Sequence, residues 1–257
     1  MELKGTRKML PQKRQKVIVF GLKDTFCGQI VNSKQFKSKF KIAKILTEEI
    51  PNIDEAELHK KNPVQTCEYA RNKTIFGAEI LEGESAWRYL RETKYGEQKS
   101  GNISGVLILE DQIIERRRIY EKIKEEVGER FKILTWVSET AIVDESAKIG
   151  EGSIIAQNCY VGYKAEVGKS VIMQTSSLLE HHSKVGNFIN ICPGFVSGSF
   201  INIEDEAQIN IGVTVFNRVS IGKRACIGAG SLVTKDCDGG KLYFGRPAKY
   251  QRTIANI

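Results

Sequence analysis

The chain has 257 residues, of which 41% are hydrophobic and 27% charged, as in globular proteins that bury a core. Its longest apolar runs, at 17–20 and 106–109, are far shorter than the roughly 20 residues that a membrane helix needs. The basic N-terminus is not followed by the apolar stretch of a secretory signal, and the six cysteines contain no C-x-x-C pair. We therefore expect a cytoplasmic protein of one or two domains that keeps its thiols reduced and has no membrane span.

The net charge of +8 is concentrated in the N-terminal half. Residues 1–136 carry 27 basic and 20 acidic side chains, whereas residues 137–257 carry 12 and 11. A basic half favours a phosphorylated ligand or nucleic acid. The charges are scattered, however, without interleaved aromatic residues or a nucleic-acid-binding motif, so we expect no nucleic-acid partner.

The N-terminal part predicts a basic tail at 1–16 and a small α/β, Rossmann-like domain at 17–135. VIVFG at 17–21 and SGVLILED at 104–111 are typical of buried strands, and the second runs into a helical pattern that ends near residue 131. Alternating strands and helices predict a small parallel sheet. Residues 51–105 are expected to be irregular or inserted.

The first strand ends at Gly21, and a glycine there lets main-chain N–H groups approach an anion at a helix start. The stretch GLKDTFCG does not match G-x-G-x-x-G, which argues against a dinucleotide. Two interpretations remain open. Gly21, Leu22 and Lys23 either hold a sugar nucleotide or form a purely structural turn.

From Val137 onward, a large aliphatic residue returns at every sixth position, and a mostly small residue follows it four positions later. The series has seventeen members, of which sixteen are large and apolar. They are Val137, Val143, Ile149, Ile155, Val161, Val167, Met173, Leu179, Val185, Ile191, Ser197, Ile203, Ile209, Val215, Ile221, Ile227 and Val233. Ser197 is the exception, and either a cavity edge or the space needed by a ligand would explain it.

A period of six fits neither an α-helix nor an alternating strand, but it fits a hexapeptide β-helix. In that fold each hexad forms one side of a triangular prism, with the aliphatic residue inside and the small residue at the corner. Three hexads close a coil, and the stacked coils supply one another with main-chain partners. Residues 136–238 therefore predict a parallel β-helix, and residues 239–257 a C-terminal tail.

The order of parts resembles the bacterial hexapeptide-repeat sugar O- and N-acyltransferases, in particular the group of sialic acid O-acetyltransferases and UDP-4-amino-sugar N-acetyltransferases. The matching stretches are ERRRIYEKI, FKILTWVSETAIVDESAKIGEGSII, TSSLLEHHSKVGNFINICPG, IGAGSLVTKD and YFGRPAK. The resemblance implies that the β-helix is left-handed and that acetyl-CoA is the co-substrate, with no metal. It also implies a homotrimer whose active sites lie between adjacent prisms.

The two adjacent histidines of the chain lie in the third of these stretches. The resemblance implies that His181 is the general base, which removes a proton from the sugar amine or hydroxyl as that atom attacks the thioester. The next position is often acidic in the family and is His182 here. We expect His182 to occupy the orienting position, with Glu180 or a carboxylate of a neighbouring subunit supplying the missing charge.

The resemblance also implies a set of donor-binding residues, namely Asn190, Ser199, Ile211, Gly212, Ala229 and Lys249. The side chain of Asn190 would meet acetyl-CoA, and the main-chain N–H of Ser199 would face the thioester oxygen. We expect Ile211, Gly212 and Ala229 to follow further along the prism edge of Ser199, beside the pantetheine arm. Lys249 would meet the CoA phosphates.

The sequence therefore predicts a transferase that moves acetyl from acetyl-CoA to an amine or hydroxyl of a sugar by direct attack, and we expect this sugar to be nucleotide-linked. The N-terminal domain would bind the acceptor. A catalytically silent β-helix scaffold is the main alternative. A γ-type carbonic anhydrase needs three histidines around zinc, and His181, His182 and the distant His59 do not provide them. A nucleotidyltransferase would need a strand before GTRKMLP at 5–11.

Overall fold

A computed structural model of the chain describes residues 14–21, 25–47, 74–75, 77–95, 103–128 and 132–254. The strands of its first part are β1 Gln15–Phe20, β2 Phe40–Thr47, β3 Thr74–Ile75, β4 Ala78–Glu82 and β5 Ile103–Ile108. The helices are α1 Thr25–Asn32, α2 Lys34–Lys39, α3 Gly83–Tyr95 and α4 Ile113–Val127. The five strands form one sheet in the order β3-β4-β2-β1-β5, in which only the β3–β4 pair is antiparallel.

The central strand β1 is buried on both faces of this sheet because four consecutive residues, Val17 to Phe20, are apolar and wholly inaccessible. Such continuous apolar runs are typical of parallel strands that are covered on both sides. Val17 and Val19 point to one side, where they pack with Trp136 of the second part. Ile18 and Phe20 point to the other side, towards Trp87 of α3 and Ile119 of α4. No helix among the described residues is long and apolar enough to cross a bilayer.

The second part is a prism of three parallel sheets, here called the first, second and third faces. The first face contains β6 Trp136–Val137, β9 Ile154–Ile155, β12 Ile172–Met173, β15 Asn190–Ile191, β18 Gln208–Ile209 and β21 Cys226–Ile227. The second face contains β7 Ile142–Val143, β10 Tyr160–Val161, β13 Leu178–Leu179, β16 Val196–Ser197, β19 Thr214–Val215 and β22 Leu232–Val233. The third face contains β8 Lys148–Ile149, β11 Glu166–Val167, β14 Lys184–Val185, β17 Asn202–Ile203 and β20 Ser220–Ile221.

The period of six is the physical cause of this prism. The second residue of each two-residue strand points inside, and stacking sets Val161 beside Leu179, one coil of eighteen residues further on. Every corner from 152 to 230 contains a residue with positive φ, and ten of these residues are not glycine. The predicted fold class, an α/β domain followed by a left-handed parallel β-helix, is confirmed.

The C-terminal segment differs from the predicted tail. Residues 241–253 form an antiparallel hairpin of β23 Lys241–Gly245 and β24 Ala248–Thr253, and β23 pairs with β21 to extend the first face. Tyr243 is buried in the prism core, so the hairpin covers the open end of the last coil. A terminal cap of this kind is a general need of repeat folds, because the last coil has no successor to pack against. At the other end, β1 already begins at Gln15, within the predicted basic tail.

Helix α4 joins the two parts through Arg116, whose side chain is completely buried. Its guanidinium donates hydrogen bonds to the main-chain oxygens of Glu110 at 3.0 Å, Asp111 at 3.1 Å, Ser170 at 3.0 Å and Ile189 at 3.4 Å. The first two acceptors follow β5, and the last two lie at the prism corner between the third and first faces. One side chain therefore connects the sheet and the prism.

We expect Arg116→Ala to lower the free energy of unfolding by about 3 kcal/mol or more, because buried carbonyl groups lose charged donors. Arg118→Ala is the matched control on the same helix. The side chain of Arg118 is half-exposed and pairs with Glu115, so its loss should cost less than about 1 kcal/mol. Denaturant titration followed by circular dichroism measures both values. Equal losses in the two variants would contradict the role of Arg116.

Candidate active site

The two adjacent histidines lie at the corner between the second and third faces, here called the histidine edge. His181 and His182 follow β13, and Ser199 and Phe200 occupy the same corner one coil later, after β16. His182 has a φ of 56° and is therefore the left-handed residue of its turn. The main chain holds this turn, because the N–H of His182 donates to Tyr163 O at 2.9 Å.

Both ring nitrogens of His181 have partners. Its Nε2 lies 2.8 Å from Ser199 Oγ, and its Nδ1 lies 3.0 Å from Nδ1 of His182. Two tautomers satisfy these contacts. In one tautomer, Nδ1–H of His181 donates a hydrogen bond to His182, and the unprotonated Nε2 accepts a hydrogen bond from the Ser199 hydroxyl. This tautomer leaves Nε2 free of a proton, so His181 can act as a base. The arrangement thus contains a hydroxyl, an imidazole and an orienting acceptor in sequence.

Aromatic rings fix the orientation of His182. Its ring stacks on Phe200 with a centroid distance of 4.9 Å and an interplanar angle of 11°. Tyr163 meets it edge-on at 5.4 Å. A ring held on two sides loses little further freedom when it accepts a hydrogen bond, so His182 is well placed to hold His181 in one orientation.

The carboxylate of Glu180 lies at the main chain of His181 and not at a ring nitrogen, so its orienting role stays a prediction. Its Oε2 accepts from the main-chain N–H of His181 at 3.2 Å, whereas the ring nitrogens of His181 contact Ser199 and His182. The N–H of Glu180 itself donates to Ser197 Oγ at 2.9 Å. The serine in the aliphatic series is therefore explained by a hydrogen bond to the turn that precedes the histidines.

The main-chain N–H of Ser199, for which an oxyanion role was predicted, has a partner within the prism. Its main-chain N–H donates to Asn217 Oδ1 at 2.8 Å, and Asn217 lies one coil further along the same edge. The same side-chain ladder recurs elsewhere, since Lys169 N–H donates to Asn187 Oδ1 at 2.9 Å. The N–H of Ser199 is therefore part of the coil stacking, and its hydroxyl is the group directed to His181.

We expected Ile211, Gly212 and Ala229 on the edge of Ser199, but they lie on a different edge. They occupy the corner between the first and second faces, because a coil takes eighteen residues and Ile211 is only twelve residues beyond Ser199. Glycine fills the left-handed position of three consecutive coils at this corner, at Gly194, Gly212 and Gly230. We call it the glycine edge.

Lys249 belongs to the glycine edge as well. It pairs with Phe244 in the C-terminal hairpin, and the ring of Phe244 lies so close to Gly228 that a Cβ there would be only 2.4 Å from it. The N–H of Gly245 donates to Ser231 Oγ at 3.2 Å, which holds the hairpin to the same corner. An exposed lysine thus lies at the end of the glycine edge.

Asn190 faces the N-terminal domain on the first face of the prism. Its side-chain amide donates to Asp111 O at 2.6 Å, and the residue is 8% exposed. Its Oδ1 is buried and has no hydrogen-bond partner among the residues that the structure describes. The side chain has a structural contact between the two parts, so the arrangement does not support the predicted contact with acetyl-CoA.

Gly21 lies at the carboxyl end of β1, and Leu22 and Lys23 lie outside the described residues. Gly21 has a φ of 77°, and an added Cβ would come within 3.3 Å of Glu110. The chain order of the sheet reverses at β1, which pairs with β2 on one side and β5 on the other. Ligands of open α/β sheets bind at such a reversal, outside the carboxyl ends of the strands. Glu110, which is 3% exposed and follows β5, lies beside Gly21 at this end of the sheet and was not predicted from the sequence.

Tyr163, Phe200 and Asn217 were likewise not predicted as site residues, although the sequence contains a signal for them. Reading the chain with a period of eighteen aligns the residues of the histidine edge in two columns. These columns are Tyr163, His181, Ser199 and Asn217, and Lys164, His182, Phe200 and Arg218. Within the described ranges, no group of three or more histidine, cysteine or acidic side chains could hold a metal ion.

The chain matches no family model, but it is similar to several curated proteins. One relative is a Schizosaccharomyces pombe protein whose name describes it provisionally as an acetyltransferase. The two sequences are 46% identical over 63 residues, and this alignment covers 24% of the chain and 30% of the relative. A second relative is the bifunctional protein GlmU of Bordetella parapertussis, which is 28% identical over 122 residues. This alignment covers 43% of the chain and 26% of GlmU. The chain therefore spans less than a third of the length of these relatives.

Solved structures match over almost the whole chain. PerB from Caulobacter crescentus, in complex with CoA and GDP-perosamine, has a TM-score of 0.73 at 18% identity, over 92% of this chain and 97% of PerB. The acetyltransferase domain of PglB from Neisseria gonorrhoeae FA1090, in complex with acetyl coenzyme A, has a TM-score of 0.69 at 18% identity, over 93% and 100%. WeeI from Acinetobacter baumannii AYE has a TM-score of 0.68 at 21% identity, over 92% and 100%. In fold, and in the repeat that builds it, the chain resembles the hexapeptide-repeat sugar acyltransferases, which confirms the resemblance predicted from the sequence.

Proposed function

We propose that the chain is an acetyltransferase that moves acetyl from acetyl-CoA to an amine of a nucleotide-linked sugar. The observation that carries this proposal is the contact of His181 with a hydroxyl at Nε2 and with His182 at Nδ1. A histidine held in this way can act as a general base, because hydrogen-bond distances of about 2.6–3.2 Å allow proton transfer. The PerB and PglB structures support the donor and the kind of acceptor, since they contain CoA with GDP-perosamine and acetyl coenzyme A.

The glycine edge is the proposed site of the donor's pantetheine arm. Left-handed corners of this prism accept side chains, as His182 and Phe200 show, so the backbone alone does not require glycine at three successive coils. An added Cβ at Gly212 or Gly230 would meet nothing within 4 Å. The missing side chains leave an open strip of main chain, which suits an extended ligand. Lys249 at its end would offer a charge to the CoA phosphates.

The second face is the proposed interface with further copies of the chain. Its outward residues are largely apolar, namely Ile142, Tyr160, Leu178, Val196, Thr214 and Leu232. Ile142 and Val196 are 66% and 42% exposed in the single chain. The outward residues of the third face are polar or charged, namely Lys148, Glu166, Lys184, Asn202 and Ser220. An exposed apolar strip of this kind favours association.

A cyclic trimer through the second face would complete the site. This face lies between the glycine edge and the histidine edge, so a ring of three prisms brings the histidine edge of one chain beside the glycine edge of the next. A contact between different surfaces closes into a ring when the rotation allows it. The base and the donor strip, which lie at different corners of one chain, would then share a cleft.

The carboxyl end of β1, beside Gly21 and Glu110, is the proposed acceptor site within residues 17–135. Its position at the reversal of strand order supports a nucleotide-linked ligand. The basic excess of residues 1–136 would favour the phosphates of such a ligand. The test of the whole proposal is a mass-spectrometric screen of acetyl transfer from acetyl-CoA to a panel of nucleotide-linked amino sugars. A chain that binds neither acetyl-CoA nor any of these acceptors would instead be a scaffold.

We expect His181→Ala to lower kcat by about 10² to 10⁴, because a positioned base is lost, while acetyl-CoA still binds. His182→Ala should cost much less, since it removes only the orienting ring. His182→Glu should restore a charged partner and raise activity above that of His182→Ala. Steady-state kinetics and calorimetric titration with CoA measure these effects. Similar kcat losses in the two alanine variants would show that His181 is not the sole base.

We expect Gly212→Asn to weaken acetyl-CoA binding at least about tenfold, because a side chain then blocks the strip. Asparagine tolerates this backbone, as Asn158 with a φ of 57° shows on the same edge. Ser176→Asn, also on this edge but outside the three glycines, is the matched control and should bind normally. Unchanged affinity in Gly212→Asn would place the donor elsewhere.

We expect the chain to sediment as a trimer and Val196→Asp to sediment as a monomer, because a carboxylate would be buried in the proposed interface. Asn202→Asp introduces the same side chain at the matching position of the third face and should leave the trimer intact. Sedimentation velocity distinguishes these states. A wild-type monomer at micromolar concentration would remove the basis for a shared cleft.

A further inference from the structure

The first strands and helices of the chain carry a concentration of positive charge. In the sequence, residues 1–43 contain eleven basic and two acidic side chains, a net charge of +9 that exceeds the +8 of the whole chain. The described parts of this stretch, 14–21 and 25–43, contain six basic side chains and no acidic one. These six are Arg14, Lys16, Lys34, Lys37, Lys39 and Lys41. A charge of this density favours an anionic partner.

Five of these side chains lie together at the amino end of the sheet. Arg14 directly precedes β1, α2 runs from Lys34 to Lys39, and Lys41 is the second residue of β2. Because β1 and β2 are parallel, their first residues lie at the same edge. Nη1 of Arg14 donates to Lys37 O at 3.2 Å, which holds the beginning of β1 beside α2. All five are exposed, and we call them the basic end.

A cavity of about 270 Å³ opens in the basic end. Its charged lining residues, Arg14, Lys37 and Lys41, are exposed, whereas its apolar lining residues are buried or half-buried. The apolar residues are Val31, Phe36, Phe40 and Ile42. No acidic side chain lines the cavity among the described residues. The cavity therefore presents an apolar floor inside a cationic border.

The basic end points out past the first coil of the prism. Close to it, the side chain of Gln35 donates to Val137 O at 3.1 Å and accepts from the N–H of Glu139 at 2.9 Å, and both partners belong to the first coil. At the carboxyl end of the sheet, Asp111 O instead contacts Asn190, three coils later. The strands of the sheet thus run along the prism axis, and the basic end forms one end of the molecule.

This combination of charge, apolar floor and position fits the surface of an anionic bilayer. The cations are spread over one end of the molecule, which matches a partner whose charges are spread over a plane. Lysine and arginine stems can lie on an apolar surface while their charged groups reach lipid phosphates. The half-buried Phe40 and Ile42 leave apolar surface between the cations.

The same features fit a nucleic acid less well. Sites for single strands typically add exposed aromatic faces on which bases stack. Here Phe36 is 1% exposed, and Phe40 packs against Phe36 and Trp136 with ring centroids 5.2 and 6.0 Å apart. The apolar groups therefore form a floor and offer no stacking platform.

We propose that the basic end is a docking surface for bilayers of anionic phospholipid. The inference goes beyond the proposed function and does not rest on it. The first coil of the prism carries Glu139, Asp144 and Glu145, which anionic lipids repel, so the contact is confined to the sheet. The carboxyl end of β1, at the other end of the sheet, stays open to ligands while the chain is docked.

The experiment measures co-sedimentation of the full-length chain with vesicles of phosphatidylcholine, with and without phosphatidylglycerol. At about 0.1 M salt, the chain should bind the mixed vesicles and not the neutral ones. At about 1 M salt the binding should disappear, because the screening length falls from about 10 Å to about 3 Å. The double variant Lys37→Gln, Lys41→Gln should bind at least about tenfold more weakly, since two cations leave the surface.

The matched control removes the same charge elsewhere. Lys169→Gln combined with Lys223→Gln neutralises two exposed lysines at the corner between the third and first faces, and this variant should bind as the wild type does. Circular dichroism of both double variants checks that each is folded.

Three outcomes overturn the proposal. The first is no binding to anionic vesicles at low salt, and the second is an equal loss in both double variants, which would assign the effect to net charge alone. The third is tighter binding to a DNA duplex than to vesicles, lost on neutralising Lys37 and Lys41, which would assign the surface to nucleic acid. Acetyl transfer to a nucleotide-linked sugar is measured without vesicles, so failure of the proposed function is recognised separately.

Discussion

The buried guanidinium of Arg116 holds together the two halves on which the candidate site depends. A charged group without water must find all its partners within the protein, and Arg116 finds carbonyl groups after β5 and at a prism corner. A second link joins the same helix to the prism, where Glu206 pairs with Arg117 and Arg224. Burial tends to raise the pKa of Glu206, but the hydrogen bond from Arg224 and the charge of Arg117 outweigh it and lower the pKa. The carboxyl end of β1 at Gly21 is therefore fixed relative to the prism.

The fold follows from the sequence because the repeat is almost unbroken. Each inward residue packs on the residue eighteen positions away, so one spacing determines the strand, the face and the coil of every member. The same spacing also determines the edges. The family resemblance led us to place Ile211 on the edge of Ser199, whereas counting in coils of eighteen residues separates them. The hairpin at 241–253 was harder to predict, since it ends the repeat and no longer follows its period.

The contacts within the site were less predictable than the positions of its residues. The sequence placed His181 and His182 at one corner, but the partner of each ring nitrogen depends on rotamers and on side chains one coil away. Glu180 turned to the main chain because the N–H of His181 lies within its reach. The N–H of Ser199 donates to Asn217, which only a reading with a period of eighteen places at the same corner. Single hydrogen bonds thus decide which partner each side chain and N–H group of the site takes.

The left-handed corners have a consequence for how this fold can change. At the histidine edge, the residue with positive φ is half-buried or exposed and is followed by a buried residue, as His182 is followed by Ser183 and Phe200 by Ile201. At this edge, core packing thus falls to one position of the hexad and surface chemistry to its neighbour. A mutation at a corner can exchange a ring for a charge without disturbing the interior. New specificities can therefore arise on this scaffold by single substitutions, with the coil left unaltered.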